Sequence, residues 1–265
     1  MIKNFFRILN QSNVKYMLIS GQATVLYGAA TFSEDIDIWV SPEPGNWKRF
    51  IQCLQKSGAK AYKVTPPLKP EFIQKGHGFH FEFPATKEEP LWFLDVMGVV
   101  PRVGPFQKAL KNVKFYKTGW GIIPVIGIRD LVEIKKTRRL EDYPIISNLV
   151  WNEYKILCPD KIKDNDWRWI LSNTFEVEDI LYYLKRHKRA GKICETLPRK
   201  CLAYCLKSIK GYDKREKHFS IASKEIAFEI EEFRRKDRIY WQAIINELKE
   251  LNRDGKLLKI GATPR

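Results

Sequence analysis

The sequence predicts an α/β fold for its first part, a mixed sheet flanked by helices, and an all-helical module for the rest. Two observations indicate this. Short apolar runs with the period of a strand alternate with amphipathic stretches up to about residue 150, and long helical patterns dominate from about residue 166. We therefore expect two domains, residues 1–150 and residues 151–265, and place the sheet in the first.

The individual elements follow from periodicity and from helix-breaking residues. Apolar or alternating runs predict strands at 14–19, 36–40, 59–64, 78–83 and 91–99. Apolar stripes predict helices at 3–12, at 46–57 and after the Ser20-Gly21 turn. A helix that opens near Arg129 is expected to run until Pro144, because proline breaks a helix interior. The longest helix is predicted from Ser220 to Leu251.

Composition narrows the class of protein. The 265 residues are 44% hydrophobic and 13% aromatic, which argues against intrinsic disorder. No apolar run approaches the roughly 18 residues of a membrane span, and the first residues lack a signal-peptide pattern. The five cysteines form no CxxC pair, which favours reduced thiols. We expect a cytoplasmic protein without membrane contact.

The charge balance bears on the partner. Lys and Arg number 47 against 31 Asp and Glu, a net charge of +16. Such an excess suggests a polyanionic partner, and nucleic acid is the commonest one. The alternative is a lysine-rich chain with solvated helix faces.

Three carboxylates stand on strands that are otherwise apolar. Asp35 and Asp37 are two residues apart, so both project from one face of the predicted strand. Asp95 lies alone in the apolar run Leu91–Val99. Like charges on an apolar strand are costly without a cation, and carboxylate oxygens are the ligands that Mg²⁺ prefers. Each acid alone has a structural explanation; the set of three indicates phosphoryl or nucleotidyl transfer with two metal ions.

A turn of small residues comes before the paired carboxylates. Ser20-Gly21 follows a buried strand and opens a helix, where backbone N–H groups can approach a phosphate. The alternative is an ordinary helix N-cap. His77 and His80 flank the strand before Asp95; either contact with substrate or a structural role is open for them.

These features together resemble the DNA polymerase beta-like nucleotidyltransferase superfamily. The closer likeness is to bacterial nucleotidyltransferases of the abortive-infection type II toxin kind. The matching segments are Ser20–Ala23, Gly28 and Ser33–Asp37, followed by Asp95 and by Lys135 or Lys136, Arg139 and Asp142. Ser20 stands where many members have glycine, and Thr31 where close relatives often have arginine.

The resemblance implies a function and a set of site residues. Asp35, Asp37 and Asp95 would be catalytic and would hold two Mg²⁺ ions, for which Mn²⁺ can substitute. The nucleotide-binding residues would be Ser20, Gly21, Ser33, Lys136 and Arg139. A nucleotidyl group would move from an NTP to an acceptor hydroxyl, on tRNA, a protein or a small molecule such as an aminoglycoside, and an antitoxin protein is an expected partner. The rival hypothesis is a non-catalytic nucleic-acid or partner-binding protein on a transferase scaffold.

Overall fold

A computed structural model describes residues 2–85, 90–158, 161–211 and 214–265. The chain divides into two compact units. Unit 1 contains Met1–Leu26, Ala30–Ile134 and Ile239–Arg265, and unit 2 contains Tyr27–Ala29 and Lys135–Arg238. The division into residues 1–150 and 151–265 stays a prediction about domains, because compactness alone does not test independent folding.

Unit 1 is built on a seven-stranded mixed sheet. Its strands are β1 (Tyr16–Ile19), β2 (Ile36–Val40), β3 (Lys60–Ala61), β4 (Gly78–Phe83), β5 (Trp92–Met97), β6 (Lys114–Thr118) and β7 (Gly121–Val125). Their order in the sheet is β3-β4-β5-β2-β1-β7-β6. β2 is parallel to β5 and β1 is parallel to β7, whereas the other neighbouring strands are antiparallel.

Helices accompany this sheet along the chain. Those of the first part are α1 (Ile2–Gln11), α2 (Ser20–Leu26), α3 (Pro44–Lys56), α4 (Pro70–Gln74), α5 (Phe106–Leu110) and α6 (Ile128–Lys135). Aromatic side chains pack on one face of β4: the ring of Phe5 on α1 lies 5.0 Å from that of Phe83, and Trp47 on α3 lies 5.4 Å from Phe79, measured between ring centroids. The opposite face of β4 and β5 is only half-buried.

Six further helices are described after α6. They are α7 (Asp142–Ile156), α8 (Asp164–Asn173), α9 (Val177–Arg186), α10 (Lys188–Cys194), α11 (Lys200–Lys210) and α12 (Arg215–Arg253). The core of unit 2 is aromatic, with Trp167 and Tyr183 fully buried. No helix in the described ranges is long and apolar enough to cross a membrane. The predicted fold class, a mixed α/β sheet followed by helices, is confirmed.

One local prediction was wrong, and one hairpin was missed. The helix expected to run to Pro144 ends at Lys135, and a new helix begins at Asp142. Pro144 is the third residue of that helix, where proline is tolerated because first-turn N–H groups have no partner within the helix. The β6–β7 hairpin was not predicted, because its strands hold lysines, glycine and proline in place of a regular apolar alternation.

The last residues of the chain belong to unit 1. The N–H of Ala61 on β3 donates to Ala262, and the N–H of Gly261 donates back to Ala61, with N···O distances of 2.8 and 2.9 Å. Leu258 similarly donates to the carbonyl of Thr65. The C-terminal tail thus covers one edge of the sheet.

Within unit 1, a carboxylate holds the C-terminal end of α12 in place. Glu247 accepts hydrogen bonds from Lys75 (2.5 Å) and from the fully buried His77 (2.8 Å). Burial raises the pKa of Glu247, but the hydrogen bonds from Lys75 and His77 outweigh it and hold this pKa below its usual value. The ionised carboxylate is therefore the form that the fold stabilises.

We expect Glu247→Gln to lower the free energy of unfolding by about 1–2 kcal/mol, the cost of losing hydrogen bonds that involve charged groups. Chemical denaturation at pH 7 measures it. Glu250→Gln is the matched control, because Glu250 is exposed on the same helix. Equal stability of the two variants would contradict the assigned role of Glu247.

The same carboxylate gives a pH dependence with a definite sign. Its pKa is lower in the folded than in the unfolded chain, so its stabilisation is present above an unfolded pKa of about 4.3 and is lost as the pH falls through the lower folded value. The difference in stability between wild type and Glu247→Gln should therefore shrink in acid. A difference that grows below pH 4 would be the opposite result.

Candidate active site

Two of the predicted carboxylates lie side by side on neighbouring strands. β2 and β5 run parallel, and their register pairs Asp37 with Asp95. Both side chains lie on the half-buried sheet face, whereas the flanking Ile36 and Leu94 are buried on the other. Neighbouring strands are about 4.8 Å apart, so the two carboxylates have adjacent origins. The sheet therefore brings Asp37 and Asp95 together.

The third carboxylate lies just before β2. Asp35 is half-buried in the segment that leads into the strand, two residues from Asp37. Antiparallel pairing sets Ile19, the last residue of β1, opposite Asp37. The turn that follows β1 is therefore beside the segment that contains Asp35.

Close packing joins that turn to the carboxylate segment. Ser20 has the left-handed backbone angle φ = 55°. A Cβ at Gly21 would clash with Ser33 Oγ and Cβ, so any other residue there would force Ser33 to shift. The side chain of Gln22 donates to the carbonyl of Ser33 (2.7 Å), and Ser33 Oγ donates to the carbonyl of Asp35 (3.3 Å). Ser20, Gly21, Ser33 and the three aspartates thus lie around one end of β2.

A histidine lies next to one of these carboxylates. His80 is paired with Asp95 across β4 and β5, and its Nδ1 lies 2.8 Å from Asp95 Oδ1. The two side chains are 28% and 27% exposed, so solvent reaches both. The hydroxyl of Thr65 accepts the backbone N–H of His80 (3.2 Å). The signal in the sequence was the alternation of β4, which puts His80 on the polar face, but the register that sets it beside Asp95 could not be predicted.

The two predicted basic residues belong to unit 2 and are described there. Lys136 is 7% exposed, and its Nζ lies 5.1 Å from the centroid of the Phe233 ring. Arg139 is more exposed and its Nε donates to Asp142 Oδ2 (3.1 Å). Lys135 donates to the other oxygen of Asp142, at 3.0 Å. Asp142 is thus the centre of a charged cluster, and nucleotide binding by Lys136 and Arg139 stays a prediction.

The donor set suits a hard cation. Asp35, Asp37 and Asp95 offer carboxylate oxygens only, which Mg²⁺ and Mn²⁺ bind. As the side chains stand, the described residues include no group of three or more His, Cys, Asp or Glu arranged to hold a metal ion. Asp95 directs one oxygen to His80. The backbone positions and the ligand chemistry fit a metal site, and the side chains do not form a completed one.

Comparison with known proteins adds no relative. No protein-family model matches the chain, and none of the curated proteins matches its sequence. The function proposed for this protein therefore depends on the geometry of the site and on the resemblance of its motifs to those of nucleotidyltransferases.

Proposed function

We propose that this protein is a metal-dependent nucleotidyltransferase that moves a nucleoside monophosphate from an NTP to an acceptor hydroxyl and releases pyrophosphate. The observation that carries the proposal is the in-register pair Asp37 and Asp95 on parallel strands, with Asp35 at the start of the same strand. Carboxylates at adjacent positions on one sheet face can share a hard cation, because carboxylate oxygens are the ligands that Mg²⁺ prefers.

The carboxylates and the turn have different tasks in this proposal. Asp35, Asp37 and Asp95 would hold two Mg²⁺ ions, which supply positive charge against the phosphates when they are bound. The backbone N–H groups of the Ser20-Gly21 turn and the hydroxyl of Ser33 would bind the triphosphate. The Gly21–Ser33 contact keeps these phosphate-binding groups next to Asp35.

Asp95 and His80 would act on the acceptor side. A carboxylate only accepts hydrogen bonds, so the Nδ1–H of His80 donates to Asp95 Oδ1. This leaves Oδ2 of Asp95 to accept the proton of the attacking hydroxyl. His80 thereby orients the carboxylate, and Thr65 orients His80 through its backbone.

The acceptor class follows from charge more than from geometry. The net charge of +16 favours RNA, such as the 3′ end of tRNA, over a protein hydroxyl or a small molecule of the aminoglycoside type. Exposed lysines at the ends of α9 and α10 offer phosphate contacts: Lys185, Lys188 and Lys192. A cytoplasmic location and an antitoxin partner complete the proposal.

We expect Asp37→Asn to fold, because the change relieves repulsion with Asp95. We expect its transfer rate to fall by at least about 100-fold, because the change removes a ligand from the metal site. The measurement follows label from each α-³²P-labelled NTP, with Mg²⁺, into total tRNA, the protein itself and an aminoglycoside. Glu82→Gln is the matched control, since Glu82 lies on the same face of β4 as His80 and is not one of the proposed metal ligands.

Two results would contradict the proposal. Near wild-type transfer by Asp37→Asn would remove that residue from the metal site. Wild-type protein that binds no NTP in a calorimetric titration with Mg²⁺ would favour the non-catalytic alternative instead.

The close contact at the turn gives a second prediction. Gly21→Ala places a methyl group against Ser33 Oγ, so the turn and the Asp35 segment must separate, and we expect NTP affinity to fall by about tenfold or more. Ser33→Gly in the same chain removes both clashing atoms and should restore part of the affinity, with the remaining loss due to the missing Ser33 hydroxyl. If the double variant binds NTP as weakly as Gly21→Ala, the contact does not set the geometry of the site.

A further inference from the structure

The two edges of the sheet differ. The C-terminal tail covers the β3 edge through hydrogen bonds to Ala61. β6 forms the other edge. The two-residue turn at 119–120 makes Thr118 and Gly121 a hydrogen-bonded pair, so the backbone groups of Phe115 and Lys117 point away from β7. In the described ranges no backbone hydrogen bond reaches Phe115 or Lys117 from outside the hairpin.

One face of this hairpin is apolar and exposed. Phe115 is 71% exposed and Ile122 on β7 is 61% exposed. The register sets Phe115 opposite Pro124, and Ile122 opposite Lys117, so all four side chains share that face. The other face is covered, because Ile123 and Val125 on β7 are fully buried. The exposed apolar pair thus borders an open strand edge.

The stretch of sequence that contains this hairpin has basic but no acidic residues. Between Asp95 and Asp130 the chain contains no acidic residue and six basic ones: Arg102, Lys108, Lys111, Lys114, Lys117 and Arg129. Lysines on an edge strand repel a second copy of the same edge. The same lysines attract an acidic segment, so they favour an acidic partner over a second copy of this chain.

We propose that the β6 edge is the docking site for an extended acidic segment of a partner protein, which adds to the sheet as an eighth strand. Its main chain would bond the outward N–H and C=O groups of Phe115 and Lys117. Its apolar side chains would cover Phe115 and Ile122, and its carboxylates would reach the lysines. An open main-chain edge suits a peptide better than RNA, because RNA has no strand to pair with it.

The test uses a fluorescein-labelled, end-blocked octapeptide of alternating Glu and Val, titrated with the full chain and followed by anisotropy. We expect saturable binding that weakens with salt, and slower hydrogen exchange of the Phe115 and Lys117 amides. Lys117→Pro removes an outward N–H at a position where an edge strand tolerates proline, and should weaken binding about tenfold. Lys117→Gln keeps the N–H and should weaken it only about two- to fivefold.

Matched controls make the result decisive. Phe115→Ser should weaken binding, whereas Phe228→Ser should not, because Phe228 is equally exposed (70%) on α12. If Lys117→Pro fails to fold by circular dichroism, an octapeptide N-methylated at alternate bonds replaces it and should not bind. The proposal is overturned if the Glu–Val octapeptide does not bind, or if a Lys–Val octapeptide binds equally well. It is also overturned if binding of an octauridylate is weakened by the changes at Phe115 and Lys117 while binding of the peptide is not.

Discussion

Parallel pairing of β2 with β5 places two carboxylates at the same level on one face of a sheet. Asp37 and Asp95 occupy paired positions, and their strand neighbours on the other face are buried. Neighbouring strands are about 4.8 Å apart, so the two carboxylates start from adjacent positions. A divalent cation is the partner that such a pair of carboxylates would bind.

The surrounding elements are arranged about this pair. The turn after β1 has room beside the Asp35 segment only because residue 21 is glycine, and Ser33 fills the space that a side chain there would need. On the other side, His80 holds one oxygen of Asp95. The Ser20-Gly21 turn and His80 thus flank the carboxylates on opposite sides of the strand pair. That order suits a triphosphate on one side and an acceptor on the other.

Local features of the fold could be predicted from the sequence, whereas contacts between distant residues could not. Strands β2 and β5 were predictable, because Asp35 and Asp37 alternate with apolar residues and Asp95 interrupts an apolar run. The pairing of Asp37 with Asp95, and of Asp95 with His80, depends on strand register, which no local pattern encodes. The burial of Lys136 against Phe233 joins residues almost a hundred positions apart and was equally inaccessible. The tail that covers β3 was missed for the same reason, since its hydrogen bonds connect residues 61 and 262.

The central claim, a divalent cation bound at the Asp35–Asp37 end of β2, is tested most directly by anomalous scattering from Mn²⁺ in crystals soaked with a non-hydrolysable ATP analogue. The account predicts a manganese peak between the carboxylates of Asp35 and Asp37, in contact with the analogue's phosphates. Crystals that hold the analogue elsewhere, or that show no manganese at these carboxylates while the analogue is bound, would contradict it.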